Sequence, residues 1–166
     1  MASFFYLDAS SLAKRYIPET GSAQVNAILD MVPGNRLRVL NVGTGEIVSV
    51  LVRKRNAGVI SQAYFEQAML NFHAEIVRAA GITRVPVTSR LVIASLSLIV
   101  AHSINSTDAL ILKSTLAIAR RLLASGDDLV LVASDQRLLR AAQAEGLTTF
   151  NPEAQDRAAL AVLIGA

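Results

Sequence analysis

Apolar positions along the chain fall into two kinds of segment. Short apolar runs rich in leucine, valine and aromatic residues are typical of buried strands, whereas longer runs with apolar positions three and four apart are typical of helices. The strand-like runs cover residues 4–8, 37–42, 83–88, 129–134 and 148–150. Helix-like runs separate them, which predicts a parallel sheet with helices on both faces, an α/β sandwich.

Glycine, proline and small polar residues predict where the helices begin and end. The helices are expected over residues 11–16, 22–32, 46–58, 61–80, 89–103, 106–126, 135–146 and 157–166. Gly43 and Gly45 are expected to precede the third helix, and Ser61 to cap the fourth. Ser106 or Thr107 is expected to cap the sixth helix. Pro86 cannot donate a backbone hydrogen bond, so its strand is expected at an edge or an end of the sheet.

Composition predicts one folded domain. The chain has 166 residues, of which 52% are hydrophobic and 17% charged, so it can bury a sizeable core. Residues 1–153 are expected to form the domain, and the apolar segment 154–166 to pack on it as a helical tail. There is no cysteine, which excludes disulfides and thiolate metal sites and leaves oxygen or histidine as metal ligands.

Charge and hydropathy narrow the expected setting. The net charge of +3 and the pI of about 9.7 mildly favour a polyanionic partner. The most apolar run, residues 91–104, is shorter than the roughly 20 residues that span a bilayer, so it is expected to be a core helix. No signal peptide is evident. We therefore expect a cytoplasmic protein with no membrane partner.

Two acids follow predicted strands. Asp8 ends the first strand and Asp135 follows the fourth. In a parallel sheet the carboxyl ends of the strands meet at one edge, where sites in such folds lie. Both acids are therefore expected at the same edge.

Two further acids lie on apolar helix faces. Asp108 shares a face with Ile111, Leu112 and Thr115, and Glu46 lies one turn before Val50. An ionised carboxylate on an apolar face is costly unless it is paired or bound to a cation. These two acids are therefore expected to face inward or line a cleft.

Each acid also has an ordinary structural interpretation. Asp8 and Asp135 fit helix N-caps, Asp108 fits a first-turn residue that favours the helix dipole, and Glu46 fits an ion pair with a downstream base. Convergence of all four favours a site instead. Clustered carboxylates suit hard cations such as Mg²⁺ or Mn²⁺, which assist phosphodiester hydrolysis.

Four segments span nearly the whole chain in this order: YLDASSLAKRYIPETGS, GEIVSVLVRK, STDALILKSTLAIA and LVLVASDQRLLRAAQAEGLTTFNPE. Together they resemble the PIN-domain family and, within it, the VapC-type toxin ribonucleases of toxin–antitoxin pairs. Two steps depart from the usual pattern: Ala133 stands where the family usually has Thr or Ser, and Ile111–Leu112–Lys113 replaces a His-Leu-Ala step.

The resemblance implies an α/β/α sandwich and a Mg²⁺- or Mn²⁺-dependent endoribonuclease. It implies that the acids of the site are Asp8, Glu46, Asp108 and Asp135, with the first and third as the core metal ligands. Glu46 and Asp135 would complete the acidic pocket, directly or through water. The expected substrate-binding residues are Ser10, Ser134 and Arg53, which lies two turns beyond Glu46 on the same helix face.

The expected partners are an RNA substrate, a cognate antitoxin protein and a second copy of the chain. The segments 12–32, 61–80 and 158–164 carry more apolar surface than a small monomer hides, which predicts a homodimer and a groove for the antitoxin. His73 and His102 are expected to be structural.

Three alternative functions stay open: a PIN nuclease of RNA processing or quality control, a non-catalytic PIN fold that binds RNA or protein, and a phosphoacceptor receiver domain. The receiver is disfavoured because no acid neighbours Asp8 and no lysine follows the fourth strand.

Overall fold

Five parallel strands form the centre of the computed structural model, which describes residues 2–165. The strands are β1 (Ser3–Leu7), β2 (Leu37–Leu40), β3 (Thr83–Val85), β4 (Asp128–Val132) and β5 (Thr148–Phe150). Their order across the sheet is β3-β2-β1-β4-β5, and every neighbouring pair is parallel. The predicted parallel sheet is confirmed, and β3, which precedes Pro86, lies at its edge. Because β1 is the central strand, Asp8, the residue that follows it, lies at the middle of the carboxyl edge of the sheet.

Eight α-helices surround the sheet in the described chain. They are α1 (Ala9–Ala13), α2 (Ser22–Met31), α3 (Asn41–Asn56), α4 (Gln62–Phe72), α5 (Ser89–His102), α6 (Ser106–Leu123), α7 (Gln136–Ala144) and α8 (Arg157–Ile164). Sheet and helices form a single α/β/α sandwich, as the sequence predicts.

Alternation along the strands divides the core into two layers. Phe5 and Leu7 of β1 face a layer built with α1 to α4 and α8, while Tyr6 faces a layer built with α5 to α7. The tail helix α8 joins the first layer through Leu160, which is buried. Each sheet face is therefore covered, as a parallel sheet requires.

Helix α3 begins earlier than the sequence predicts. It starts at Asn41, so Gly43 and Gly45 lie inside its first turns instead of before it. A Cβ atom on Gly43 would lie 3.4 Å from the Cβ of Ala9, so this glycine lets α3 approach α1 closely. Packing against α1 overrides the low helix propensity of glycine.

The predicted helix over 61–80 is also modified. Ser61 caps it as expected, with its hydroxyl accepting from the Tyr64 amide at 3.1 Å. The α-helix ends at Phe72, and a π-helical turn, His73–Val77, follows. That turn directs Glu75 to Arg15, whose guanidinium approaches the carboxylate at 2.9 Å.

Within residues 2–165 no single helix is long and apolar enough to cross a membrane; only α5 and α6 together, bent by 110° at their junction, satisfy that test by length and composition.

Candidate active site

The four acids singled out in the sequence line one pocket of about 410 Å³ at the carboxyl edge of the sheet. Each comes from a different element: Asp8 from the end of β1, Glu46 from α3, Asp108 from α6, and Asp135 from the turn after β4. The pocket is lined by Asp8, Ser10, Glu46, Asn105, Ser106, Thr107, Asp108 and Asp135. Parallel strand order thus brings together carboxylates that are up to 127 positions apart in the sequence (135 − 8).

Asp8 caps a helix and lines the pocket at the same time. It is the N-cap of α1, and its Oδ2 accepts from the Ser10 amide at 3.2 Å and from the Ser10 hydroxyl. Its backbone N–H donates to the Val132 carbonyl at 2.9 Å, which fixes it between β1 and β4. Asp8 is only 7% exposed. The helix-cap interpretation of Asp8 is therefore confirmed, and the same residue also lines the acidic pocket.

Asp108 is held by Asn105, which is the N-cap of α6 in place of the expected Ser106 or Thr107. The Asn105 Oδ1 accepts from the Asp108 amide, and the Asn105 Nδ2 donates to Asp108 Oδ2, both at 2.8 Å. The first is the usual N-cap bond to the N3 amide, whereas the second joins the two side chains and does not use the Asn105 backbone N–H of a capping box. Asp108 is 8% exposed, and its helix face buries Ile111 and Leu112, as its spacing predicts.

Asp135 is the N-cap of α7. Its Oδ1 accepts from the amides of Arg137 at 2.8 Å and Leu138 at 3.0 Å. In Asp8, Asp108 and Asp135 alike, the hydrogen bonds from described residues end on one carboxylate oxygen. The structural role therefore uses one oxygen of each side chain, and the other remains available to a ligand in the pocket.

Burial and the charges of neighbouring acids raise the pKa of Asp8, Glu46 and Asp108. Burial and the charges of Asp8 and Asp135 raise the pKa of Asp108 from 3.8 to about 6. Burial, and then the charge of Asp8, raise the pKa of Glu46 above its usual value. Burial also raises the pKa of Asp8, against the opposing hydrogen bonds of Ser10. The pocket therefore holds excess negative charge, which a cation would relieve.

None of these four acids forms an ion pair within the described chain. In residues 2–165 no three His, Cys, Asp or Glu side chains lie close enough together to hold one ion as they stand. Mg²⁺, however, is commonly held by one or two carboxylates and keeps several waters. An open pocket of unpaired carboxylates, each with an oxygen to spare, fits such a cation.

Of the three expected substrate-binding residues, only one lines the acidic pocket. Ser10 lines the acidic pocket, and with Glu46 it also lines a second cavity of about 380 Å³. Arg53 lines that second cavity and not the first. Ser134 lines neither cavity; its hydroxyl is buried and makes no hydrogen bond of normal geometry in the described chain.

Sequence reasoning missed two residues at this site. Asn105 both caps α6 and anchors Asp108, and the signal that could have found it is the asparagine three positions before the acid. Arg137 follows Asp135 by two positions at the start of α7, and its charge opposes the rise in the pKa of Asp108. A cation at i+2 from an N-cap carries no signal in a single sequence.

Comparisons with known proteins find likeness in structure alone. No family model and no curated protein sequence matches the chain. The crystal structure of PAE2754 from Pyrobaculum aerophilum superposes with a TM-score of 0.63 at 17% identity, over 100% of this chain and 98% of that one. The crystal structure of FitAcB from Neisseria gonorrhoeae gives a TM-score of 0.58 at 16% identity, over 92% of this chain and 100% of that one. At such identities the likeness shows the fold, and the chain is a single α/β domain of the PIN-like type.

Proposed function

We propose that the protein is a Mg²⁺- or Mn²⁺-dependent endoribonuclease and the toxin of a toxin–antitoxin pair. The observation that carries the proposal is the pocket that four carboxylates from four elements line without forming an ion pair with a basic residue. Burying unpaired carboxylates destabilises a fold, so their retention favours a role in binding a cation. The VapC-like sequence segments and the PIN-like fold support the same conclusion.

Asp8 and Asp108 would be the principal metal ligands, because they are the two most buried acids of the pocket. Glu46 and Asp135 would complete the acidic pocket, directly or through water. A bound Mg²⁺ or Mn²⁺ would supply Lewis-acid activation of water and neutralise charge on the phosphate.

The remaining roles fall to the chain's own side chains. Ser10 donates a hydrogen bond to Oδ2 of Asp8, and Asn105 donates one to Oδ2 of Asp108. The two carboxylates are therefore oriented before any ligand binds. Preorganised groups of this kind need little rearrangement during the reaction. Glu46 is half-buried with a raised pKa, which suits it to accept a proton from the attacking water.

RNA cleavage assays test the proposal. The wild-type protein should cleave RNA in Mg²⁺ or Mn²⁺, and cleavage should stop in EDTA. Asp108→Asn should lower the cleavage rate by at least about 100-fold, because substitution of a residue that only hydrogen-bonds to a metal ligand commonly lowers activity by 10- to 100-fold. Asp8→Asn should behave like Asp108→Asn. Glu66→Gln is the matched control, because Glu66 is exposed on α4 outside the pocket. Equal cleavage by wild type and Asp108→Asn, or cleavage that survives EDTA, overturns the mechanism.

The toxin role is a separate part of the proposal and needs its own test. A small neighbouring gene for a short DNA-binding protein, whose product neutralises growth arrest caused by this chain, is the expected finding. Growth unaffected by expression of an RNA-cleaving wild type would favour RNA processing or quality control instead.

A homodimer is also proposed, with a revised location. The segments 12–32, 61–80 and 158–164 expose scattered large apolar residues, namely Met31, Tyr64, Leu70 and Val162. Helix α5 exposes a denser set, defined here as the α5 stripe: Val92, Ile93, Leu96 and Val100. Members three, four and seven positions apart share one helix face, so the stripe is a continuous apolar surface suited to association.

A further inference from the structure

The cavity beside the acidic pocket contains an unpaired arginine. The two cavities are adjacent, since Ser10 and Glu46 line both, and Arg53 lines the second cavity together with Ser49 and Val50. Arg53 is exposed, and its guanidinium makes no ion pair or hydrogen bond within residues 2–165. By contrast, Lys14 and Arg15 are both paired with acids. An arginine left free beside a negative pocket is available to an external anion.

A second free arginine lies at the other side of the acids. Arg137 is exposed in the first turn of α7, and its backbone N–H donates to Asp135 at 2.8 Å. Its guanidinium, like that of Arg53, has no partner among the described residues.

The topology puts these two arginines on opposite sides of Asp8. Arg53 belongs to α3, which follows β2, and Arg137 belongs to α7, which follows β4; β2 and β4 are the two neighbours of β1 in the sheet. The helices also pack on opposite faces, α3 in the first core layer and α7 in the second. Arg53 lines the cavity next to the acidic pocket, and Arg137 follows Asp135 of that pocket by two positions. A line from Arg53 to Arg137 therefore passes the acidic pocket.

We propose that one RNA strand follows this line, with the scissile phosphate at the acids and the phosphates on its two sides bound by Arg53 and Arg137. This inference rests on the proposed ribonuclease function and adds the path and the contacts of the substrate. Among the described residues neither cavity is lined by an aromatic side chain, so no stacking platform for bases accompanies the path. The flanking contacts are therefore to the backbone, and they tolerate different bases.

The test measures which phosphates each arginine contacts. A short fluorescent RNA is prepared with one phosphate at a time replaced by a neutral methylphosphonate, and binding is measured by anisotropy in Ca²⁺, with the RNA checked for integrity on a gel. Wild type should be sensitive at phosphates on both sides of the cleavage site. Arg53→Gln should lose the sensitivity on one side and Arg137→Gln on the other, each weakening binding of unmodified RNA by about three- to tenfold.

Salt dependence gives a second readout. Each arginine variant should reduce the slope of log affinity against log salt by about 0.7, the value for one phosphate contact on a single strand. Arg120→Gln is the matched control, because it removes the same charge from a cavity formed with Leu129, Leu147 and Thr148, near the opposite edge of the sheet. It should leave the affinity, the phosphate profile and the salt slope unchanged.

The outcomes separate this inference from the proposed function. Variants that lose sensitivity at the same phosphates, or an Arg120→Gln effect as large as theirs, overturn the two-sided path even if the wild type cleaves RNA. Arginine effects that no phosphate substitution reproduces also overturn it, and would point to a protein partner on this surface. A two-sided profile without cleavage in Mg²⁺ or Mn²⁺ supports the path while the nuclease proposal fails. Absence of RNA binding overturns both.

Discussion

Lys14 and Glu153 form a close ion pair, with Nζ and Oε1 2.6 Å apart and 139 positions between them in the sequence. The Lys14 side chain is only 5% exposed, and it also contacts Glu19 at 2.9 Å. Lys14 caps the carboxyl end of α1, and Glu153 lies in the turn after β5. The ion pair therefore connects α1, which Asp8 caps, to the turn that follows β5.

Removal of this lysine should destabilise the fold. Burial alone would lower the pKa of Lys14, but hydrogen bonds and charges from Glu153 and Glu19 raise it. Lys14 in turn lowers the pKa of Glu153. Lys14→Met should lower the free energy of unfolding by about 2 kcal/mol, the loss of hydrogen bonds to charged groups. Urea denaturation followed by circular dichroism measures this change.

The control for Lys14 shares one of its partners. Lys54 lies 3.8 Å from Glu19 and is 37% exposed, so Lys54→Met should change stability by less than about 1 kcal/mol, as for other surface pairs. Equal losses in the free energy of unfolding would show that the Lys14–Glu153 pair stabilises the fold no more than an exposed pair does.

Asn105 should control metal affinity through Asp108. Asn105→Ser keeps an N-cap oxygen for α6, and serine caps about as well as asparagine. It removes the Nδ2 donor that holds Asp108 Oδ2 at 2.8 Å. We expect Mn²⁺ affinity, measured by isothermal titration calorimetry, to fall by about tenfold while the melting temperature stays within a few degrees.

Asn105→Ala supplies the comparison, because it removes both the cap and the donor. It should lower Mn²⁺ affinity as much as Asn105→Ser and additionally cost about 1 kcal/mol of stability. If Asn105→Ser binds Mn²⁺ as tightly as wild type, Asn105 acts only as a helix cap.

Asp108 should make the metal-free protein less stable at neutral pH. Its pKa is raised from 3.8 to about 6 by burial and by the neighbouring acids. A raised pKa means that the Asp108 carboxyl binds its proton more tightly in the folded chain than in the unfolded chain. Protonation of Asp108 therefore stabilises the fold fully at a pH below 3.8, the pKa in the unfolded chain, and this stabilisation is lost as the pH rises through about 6. In EDTA, Asp108→Asn should therefore melt at a higher temperature than wild type at neutral pH, and the gap should close as pH falls towards 3.8.

The effect should reverse when metal is added. Mn²⁺ should raise the melting temperature of wild type and leave Asp108→Asn almost unchanged, because a ligand stabilises the state that binds it. A lower melting temperature for Asp108→Asn in EDTA at neutral pH would contradict the proposed repulsion among the acids.

The α5 stripe should be the dimer contact. Ile93 is 70% and Val100 84% exposed, and Leu96 lies between them on the same face. Ile93→Lys should convert a dimer to a monomer in size-exclusion chromatography with light scattering at several concentrations. Leu70→Lys is the control, since Leu70 is 65% exposed on α4 and away from the stripe. A wild type that is monomeric at all concentrations would exclude the dimer.

The sequence was most informative where periodicity and strand order act together. Apolar runs ending on Asp8 and before Asp135 predicted both the parallel sheet and the shared edge, because parallel strands leave no other arrangement of their carboxyl ends. The inward face of Asp108 followed from its spacing to Ile111 and Leu112. Both inferences use local pattern and need no knowledge of distant contacts.

Features that depend on distant contacts were not predictable. Gly43 lies within α3, where it packs against Ala9 of α1, and nothing near Gly43 in sequence specifies that contact. The Lys14–Glu153 pair joins elements at opposite ends of the chain. Ser134 is one position from Asp135, yet its hydroxyl is buried away from the acidic pocket, since neighbouring residues after a strand point in different directions.

The claim that the acidic pocket binds a divalent cation can be tested by anomalous scattering from a crystal soaked in Mn²⁺. The account predicts an anomalous peak within coordination distance of Asp8 and Asp108, about 2.0–2.3 Å from a carboxylate oxygen. The peak should disappear from crystals of Asp108→Asn grown in the same way. Well-diffracting crystals with no peak in the pocket at saturating Mn²⁺, or with Mn²⁺ only at other acids, would contradict it.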